Sequence, residues 1–265
     1  MSSPASSSRP VPAPTPAPLS YSVITVCLNS ARTIGRTIAS VLRQNPAPQE
    51  YIFVDGGSTD RTRAIIAEAI EQCVRDGHPT RLRLLDQSGA RGITPAWNQA
   101  LAHCQSDLVF ILNSDDWYED HCARRVLEVL GAHPEAGFLV ANAHEIPRGE
   151  TRPVGVFRNR PAWLFPVLMP FVHPACFVRR TVYERIGSFD ARYWLLADYD
   201  FLYRCHRGGV RHLKLEETLV NFETGGSANS NRPLARREML AICRRYSVLP
   251  VFSYLAFGLR ALLGR

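Results

Sequence analysis

The sequence predicts an α/β protein built on a mostly parallel sheet flanked by helices, and three observations carry that prediction. Short apolar runs rich in β-branched residues recur along residues 21–112, and each ends in a polar loop. Between them lie stretches whose apolar residues fall at helical spacing. The run Val109-Phe110-Ile111-Leu112 then stops at Asn113-Ser114, followed by two adjacent carboxylates, Asp115 and Asp116. Strands apolar on both faces belong to parallel sheets, whose ligands bind beyond the strands' carboxyl ends.

Taken in order, residues 21–28 (YSVITVCL) form the first strand. Ile34, Ile38, Val41 and Leu42 share one face of a helix that closes before Asn45-Pro46. Residues 51–54 form a second strand, ended by Asp55-Gly56-Gly57-Ser58. Asp60 is placed to cap the next helix, with Ile65, Ile66, Ala69, Ile70 and Val74 as its inner face. Leu82, Leu84 and Leu85 mark a third strand. A helix starts near Thr94, where Pro95 suits the first turn, and residues 108–112 form the fourth strand. Strands and helices alternating at these spacings give right-handed crossovers.

The second half is less regular. Residues 137–141 and 173–178 read as strands, and 198–207 as a helix with Phe201, Leu202 and Cys205 on its apolar face. Residues 148–170 hold too many prolines for a regular element, 224–229 form a loop, and a last helix covers roughly 234–246.

Length and composition suit one full domain with appendages: 265 residues, 46% hydrophobic and 21% charged. Residues 1–19 are almost wholly Pro, Ala and Ser, which predicts a disordered lead, and no apolar core of a signal peptide is present. Seven scattered cysteines without a CxxC pair point to reduced thiols, a cytoplasmic setting, and no zinc site or disulfide framework. Residues 20–230 form the main domain, and 231–265 a basic tail with seven arginines against Glu238. Such a tail suits an anionic surface. No zinc knuckle, RNP-like motif or helix-turn-helix accompanies it, so nucleic acid is not the expected partner. Its stretch 248–263 is short and broken for a span, which needs about 20 apolar residues. It reads either as an amphipathic segment at the inner face of the cell membrane or as a helix packed on the core.

Neighbouring acids such as Asp115 and Asp116 repel unless they share a cation or the loop is solvated. Hard oxygen donors favour Mg²⁺ or Mn²⁺, which recruit phosphate-bearing substrates. The plain alternative is a helix-start turn capped by Asp and Ser.

Four segments stand in order at the strand ends: Thr25-Val26-Cys27-Leu28-Asn29-Ser30, Asp55-Gly56-Gly57-Ser58-Thr59-Asp60, Arg91-Gly92-Ile93 with Asn98 downstream, and Asn113-Ser114-Asp115-Asp116. His173-Pro174, Gly187-Ser188-Phe189-Asp190, Ala197-Asp198-Tyr199-Asp200-Phe201 and Gly225-Gly226-Ser227 follow. Each is weak alone. Together they resemble family 2 glycosyltransferases of the GT-A fold, over about 21–247. These are inverting enzymes with nucleotide-sugar donors, and the similar members build bacterial surface polysaccharides and glycolipids. The resemblance implies a Rossmann-like donor half, an acceptor-side half, and a glycan or lipid-linked acceptor.

By that resemblance Asp115 is the metal carboxylate of the DxD motif, holding Mn²⁺ or Mg²⁺ against the departing diphosphate. Asn113 stands where many members carry the first acid, so one direct carboxylate ligand is expected, with Asn113 and Ser114 on the donor side and Asp116 as a brace. Asp55 matches the carboxylate that reads the base, and Val26 and Leu28 match the flanks of that base. Arg91 matches a basic residue near the diphosphate. Ala90 and Pro95 replace acids common in that loop, for which Asp86 is the available substitute. Asp198 matches the general base, although Ala197 replaces the acid usually before it. Asp200, two positions on, falls on another side of the helix, and Asp190 is a weaker candidate. His173 is placed to line the acceptor pocket or assist the metal, and Trp194 to stack on a sugar.

Two other classes stay open on sequence. A nucleotidyltransferase would want glycines after the first strand, which Leu28-Asn29-Ser30-Ala31-Arg32 lacks. A non-catalytic sugar-nucleotide binder fits the replaced acids at 90, 95, 113 and 197.

Overall fold

The computed structural model describes residues 18–225 and 231–246. The lead up to residue 17, residues 226–230 with Gly226-Ser227 and most of the expected 224–229 loop, and the end of the chain from 247 lie outside the described residues.

The first half follows the sequence pattern closely. Its elements are β1 (Tyr21–Cys27), α1 (Ile34–Leu42), β2 (Glu50–Asp55), α2 (Thr62–Arg75), β3 (Arg81–Asp86), α3 (Ile93–Leu101) and β4 (Leu108–Ile111). These four strands lie side by side in the order β3-β2-β1-β4, all parallel. Their carboxyl ends therefore open on one edge. The order reverses beside β1, the switch point where such sheets leave a crevice. One detail differs: Val74, expected on the inner face of α2, is 77% exposed, and Ile66 and Cys73 carry the buried face instead. Cys73, seven residues after Ile66, keeps the last turn on the core, and Val74, one position on, is rotated about 100° away from it.

The second half is mixed. It contains β5 (Trp117–Tyr118), α4 (Cys122–Ala132), β6 (Phe138–Ile146), β7 (Gly155–Phe157), β8 (Cys176–Arg179), α5 (Arg180–Ile186), α6 (Ala197–Arg207), β9 (His212–Glu223) and α7 (Arg232–Tyr246). The sheet continues from β4 through β8, β6 and β9 to β5, with β7 paired to β6. β8 runs antiparallel to both β4 and β6, while β9 is parallel to β6. The Pro-rich stretch thus does hold a strand, β7, and the strand expected from 173 begins as a 3₁₀ turn, His173–Ala175.

Alternate residues of β1 point to opposite faces, so Val23 and Ile24, both fully buried, enter two different cores. One core gathers Tyr21, Tyr51, Phe110, Tyr118 and Phe177. The other gathers Trp97, Phe165, Phe189, Tyr199 and Phe201. α7 belongs to the second core, because Ile242 and Cys243 are buried in it against α6. The tail placed apart from residue 231 is therefore part of the domain as far as Tyr246, since an amphipathic helix buries its apolar stripe wherever one is available. All seven cysteines are buried thiols.

Candidate active site

A cavity of about 1050 Å³ opens at the carboxyl ends of β1, β2 and β4. Three loops make its floor, and their side chains lock them together. The Asn29 side chain accepts a bond from Thr59 N at 2.9 Å, and Asn29 N donates to Ser58 Oγ at 2.9 Å. Asp60 accepts from Ala31 N at 3.0 Å and from Thr62 N at 2.9 Å. The Ser30 and Ser114 hydroxyls are 2.8 Å apart, tying the first loop to the acidic one. Asn29 sits at a positive φ of 51°, a conformation that Asn tolerates because its amide bonds locally.

Val26, Leu28, Arg91, Asn113, Ser114, Asp115, His173, Trp194 and Asp198 all line this cavity. The structure thus brings nine of the ten singled-out residues to one wall or another. The exception is Asp55, which lies beneath the floor. Its carboxylate is buried and accepts bonds from Ser58 Oγ (2.5 Å), Ser58 N (3.0 Å), Gly57 N (3.2 Å) and Arg63 Nη1 (3.0 Å). Burial would raise its pKa, but the bonds from Ser58, Arg63 and Gly57 outweigh it and hold the group below the ordinary carboxylate range. A carboxylate engaged in this way braces its own turn. Arg63 also holds Asp86, which is exposed and outside the cavity wall, so Asp86 does not replace the missing acids.

The acidic loop separates its two carboxylates by role. Asp116 is fully buried, accepting from Glu223 N at 2.8 Å and from Asn113 Nδ2 at 2.9 Å. Desolvation and the neighbouring Asp115 push its pKa well up. It is the brace that the sequence suggested. Asp115 faces the cavity, with no ion pair to its carboxylate among the described residues. Desolvation first, then Glu223, raises its pKa, which Arg36 and Arg148 oppose. Glu223 at the end of β9 is held by Arg32 (2.6 Å) and Arg36 (2.9 Å). A site with a single uncommitted carboxylate fits a divalent ion that takes its other oxygens from phosphate and water. No cluster of three or more His, Cys, Asp or Glu side chains suited to a metal occurs among the described residues.

Across the cavity, Asp198 stands in the first turn of α6 and accepts a bond from Tyr199 N at 2.8 Å. It has no ion pair among the described residues, and desolvation pushes its pKa up to about 6. Asp200 points away, fully buried between Arg204 (2.8 Å) and Tyr246 (2.7 Å). Asp190 is outside the wall, and its bonds to Arg192, then Arg245, hold it far below the ordinary range. His173 packs on Trp97 at 4.9 Å, and burial pushes its pKa down to about 4, so it is a neutral wall of the pocket near neutral pH.

Trp194 is half exposed and lies over Gly92, where a Cβ would fall 2.9 Å from the indole. Gly92 also has φ of 118°, a second reason for glycine there. Gln87 holds this turn by donating to Ala90 O (3.0 Å) and Gly92 O (2.7 Å). Asn98 clamps the segment before α6 through Phe189 O (2.8 Å) and Phe189 N (3.0 Å).

Sequence reading missed Glu238 of α7. Its buried carboxylate accepts from three consecutive amides, Trp194 N (2.7 Å), Leu195 N (2.9 Å) and Leu196 N (2.9 Å). That clamp fixes the turn carrying Trp194 into the helix carrying Asp198. The signal was present, since Glu238 is the lone acid among the arginines of its segment. Arg32 and Arg148 on the cavity wall were missed too, being two arginines among many.

The model of the family described as Glycosyl transferase family 2 matches residues 22–187. The chain is similar to a PGL/p-HBAD biosynthesis glycosyltransferase of Mycobacterium bovis, 29% identical over 214 residues covering 79% of each chain. It is also 26% identical to an uncharacterized glycosyltransferase of Nostoc sp. over 226 residues, 80% of this chain and just under two thirds (66%) of that relative. Among solved structures it resembles the mannosyltransferase PcManGT of Pyrobaculum calidifontis in complex with GDP-Man and Mn²⁺, with TM-score 0.66 and 18% identity. That alignment covers 91% of this chain and 69% of the other. S. aureus TarS 1-349 in complex with UDP-GlcNAc superposes with TM-score 0.63 at 18% identity, covering 90% and 70%. The fold is therefore of the GT-A type, and the chain belongs to glycosyl transferase family 2.

Proposed function

We propose that the protein transfers a sugar, with inversion, from a nucleoside-diphosphate donor to a hydroxyl of a glycan or lipid-linked acceptor. The observation that carries this reading is that Asp115 and Asp198 line one cavity, each with a carboxylate free of cationic partners among the described residues. The donor half falls at the strand ends. Val26 and Leu28 offer apolar flanks for a base, and Arg91, Arg32 and Arg148 face the space where a diphosphate sits. Base recognition rests on this wall and the backbone at Gly56, with Asp55 holding the turn from below.

The acceptor hydroxyl has a pKa far above neutrality, so it needs a base as it attacks the anomeric carbon. Asp198, at about 6, is ionised near neutral pH yet basic enough to take the proton. As the acceptor oxygen bonds to the anomeric carbon, the bond to the phosphate oxygen breaks and its electron pair leaves with the diphosphate. Arginines on the wall stabilise that growing charge. Asp115, with water, is the residue to hold Mn²⁺ or Mg²⁺, which supplies Lewis-acid stabilisation of the diphosphate when bound. A relative named for PGL/p-HBAD biosynthesis supports a lipid-linked acceptor, and neighbours holding UDP-GlcNAc and GDP-Man support either nucleotide.

The test is incubation with UDP-, GDP- and dTDP-sugars plus Mn²⁺ and candidate acceptors, reading released nucleoside diphosphate and the product's anomeric configuration by NMR. The expected product has the configuration opposite to the donor. Release of nucleoside monophosphate, or binding without turnover for every donor, overturns the proposal.

A further inference from the structure

Six large apolar side chains are exposed among the described residues. Leu28 and Trp194 face the cavity, and Val74 stands alone on α2. The remaining three, Val154 (70% exposed), Val156 (39%) and Trp163 (70%), fall within ten residues of one another. The same segment carries Arg152, Arg158 and Arg160, all exposed and none in an ion pair among the described residues.

The arrangement follows from strand geometry. β7 pairs with β6 alone, and successive side chains along it point to opposite sides. Phe157 turns inward, lining the cavity and meeting Phe222 at 5.7 Å. Residues 151–154, 156, 158 and 160 are exposed, whereas 155, 157 and 159 are partly buried. Val156 is thus the outward residue of the strand itself, and the exposed side chains of the chain around it are Arg152, Val154, Arg158, Arg160 and Trp163. Nearby Glu145 and Glu150 pair with none of these arginines. Unpaired guanidinium groups interleaved with exposed apolar side chains match the chemistry of an anionic bilayer surface, where cations meet headgroups and an indole sits at the boundary.

We propose that this exposed strip around β7, from Arg152 to Trp163, seats the protein on an anionic membrane surface. It is distinct from the end of the chain beyond Tyr246. Because the strip's inner side is a cavity wall, docking there sets the pocket beside the lipid surface, which rests on the reading of a lipid-linked acceptor given above.

The test is flotation of the full chain with phosphatidylcholine vesicles, with and without phosphatidylglycerol, in the absence of donor and acceptor. Each arginine near an anionic surface strengthens binding about fivefold, so an Arg152→Ala/Arg158→Ala/Arg160→Ala variant should bind phosphatidylglycerol vesicles on the order of 100-fold more weakly. A Val156→Ser/Trp163→Ser variant should also lose binding. Both should keep the melting temperature and donor response of the parent, since none of these side chains lines the cavity; if the triple variant melts early, Arg158→Ala alone is read instead. Vesicle binding unchanged in both variants, or no vesicle binding by the parent, overturns the proposal. Neither result touches sugar transfer to a soluble acceptor, so a failure of docking is separable from a failure of the transferase reading.

Discussion

Replacing Asp198 by Asn should destroy turnover and stabilise the fold at the same time. Lifting this carboxyl from its ordinary 3.8 to about 6 means that the charged form is less favourable in the folded than in the unfolded chain. At about 1.4 kcal/mol per pH unit the full penalty is roughly 3 kcal/mol. Solvent in the cavity screens part of it, leaving roughly 1–2 kcal/mol. The sign follows from linkage: with the folded pKa raised, the folded state favours the proton. The penalty is absent below about pH 4, grows between the two pKa values and is complete above about 6. Asn cannot ionise and still accepts the Tyr199 N bond, so it escapes the penalty without breaking the turn. In a chain of this size the melting temperature should rise by roughly 3–6 °C at pH 7.5, and by nothing near pH 4. Loss of the base should lower kcat about 100-fold or more, and the parent's acid limb should lie near pH 6. The assay pairs melting curves across pH with donor turnover. A variant that melts no higher than the parent at pH 7.5, or that keeps its turnover, refutes the reasoning.

Two further substitutions probe how the site is held. Glu238→Ala leaves three amides of one turn without their acceptor, so it should cost about 2–3 kcal/mol of stability and lower kcat more than it raises the donor KM, measured by denaturant melts and kinetics. Glu238→Gln, which keeps an acceptor, should recover part of both losses. Gly92→Ala adds a Cβ 2.9 Å from the Trp194 ring at a φ of 118°, so the indole must move. Donor binding should weaken severalfold by calorimetry, and an unchanged affinity would show that the Arg91 turn and Trp194 are independent of the donor.

The parallel half of the fold was legible because β1, β2 and β4 are buried on both faces, so their sequences are near-continuous apolar runs, while the partly exposed edge strand β3 shows as leucines alternating with arginine. The mixed half was harder for a stated reason. β9 carries Lys214, Glu216 and Glu217 in its first half, and only Leu219 and Val220 are fully buried, so no clean period survives. β7 hides among prolines because an edge strand gives up few ladder bonds to them. In the site, helical spacing set Asp198 and Asp200 on different sides and the family resemblance favoured Asp198, and the structure places the first on the cavity wall and the second behind it. Asp55 was legible only in part. The resemblance marked it for contact with a base, and the structure adds what sequence could not show, that it lies beneath the floor with the Gly57 and Ser58 amides and Arg63 on its carboxylate. Sequence also had no means of joining Glu238 to a turn more than forty residues earlier, because that contact exists only once α7 packs on α6.

On the proposed reading two carboxylates in one pocket divide the labour, with 115 serving the diphosphate and 198 the acceptor. Calorimetric titration of a sugar nucleotide with and without Mn²⁺ tests it most directly, on the parent, Asp115→Asn and Asp198→Asn. Asp198→Asn should bind donor as the parent does, with the same dependence on Mn²⁺, while Asp115→Asn should lose that dependence and most of the affinity. Metal-dependent binding that survives in Asp115→Asn, or vanishes in Asp198→Asn, would contradict the claim.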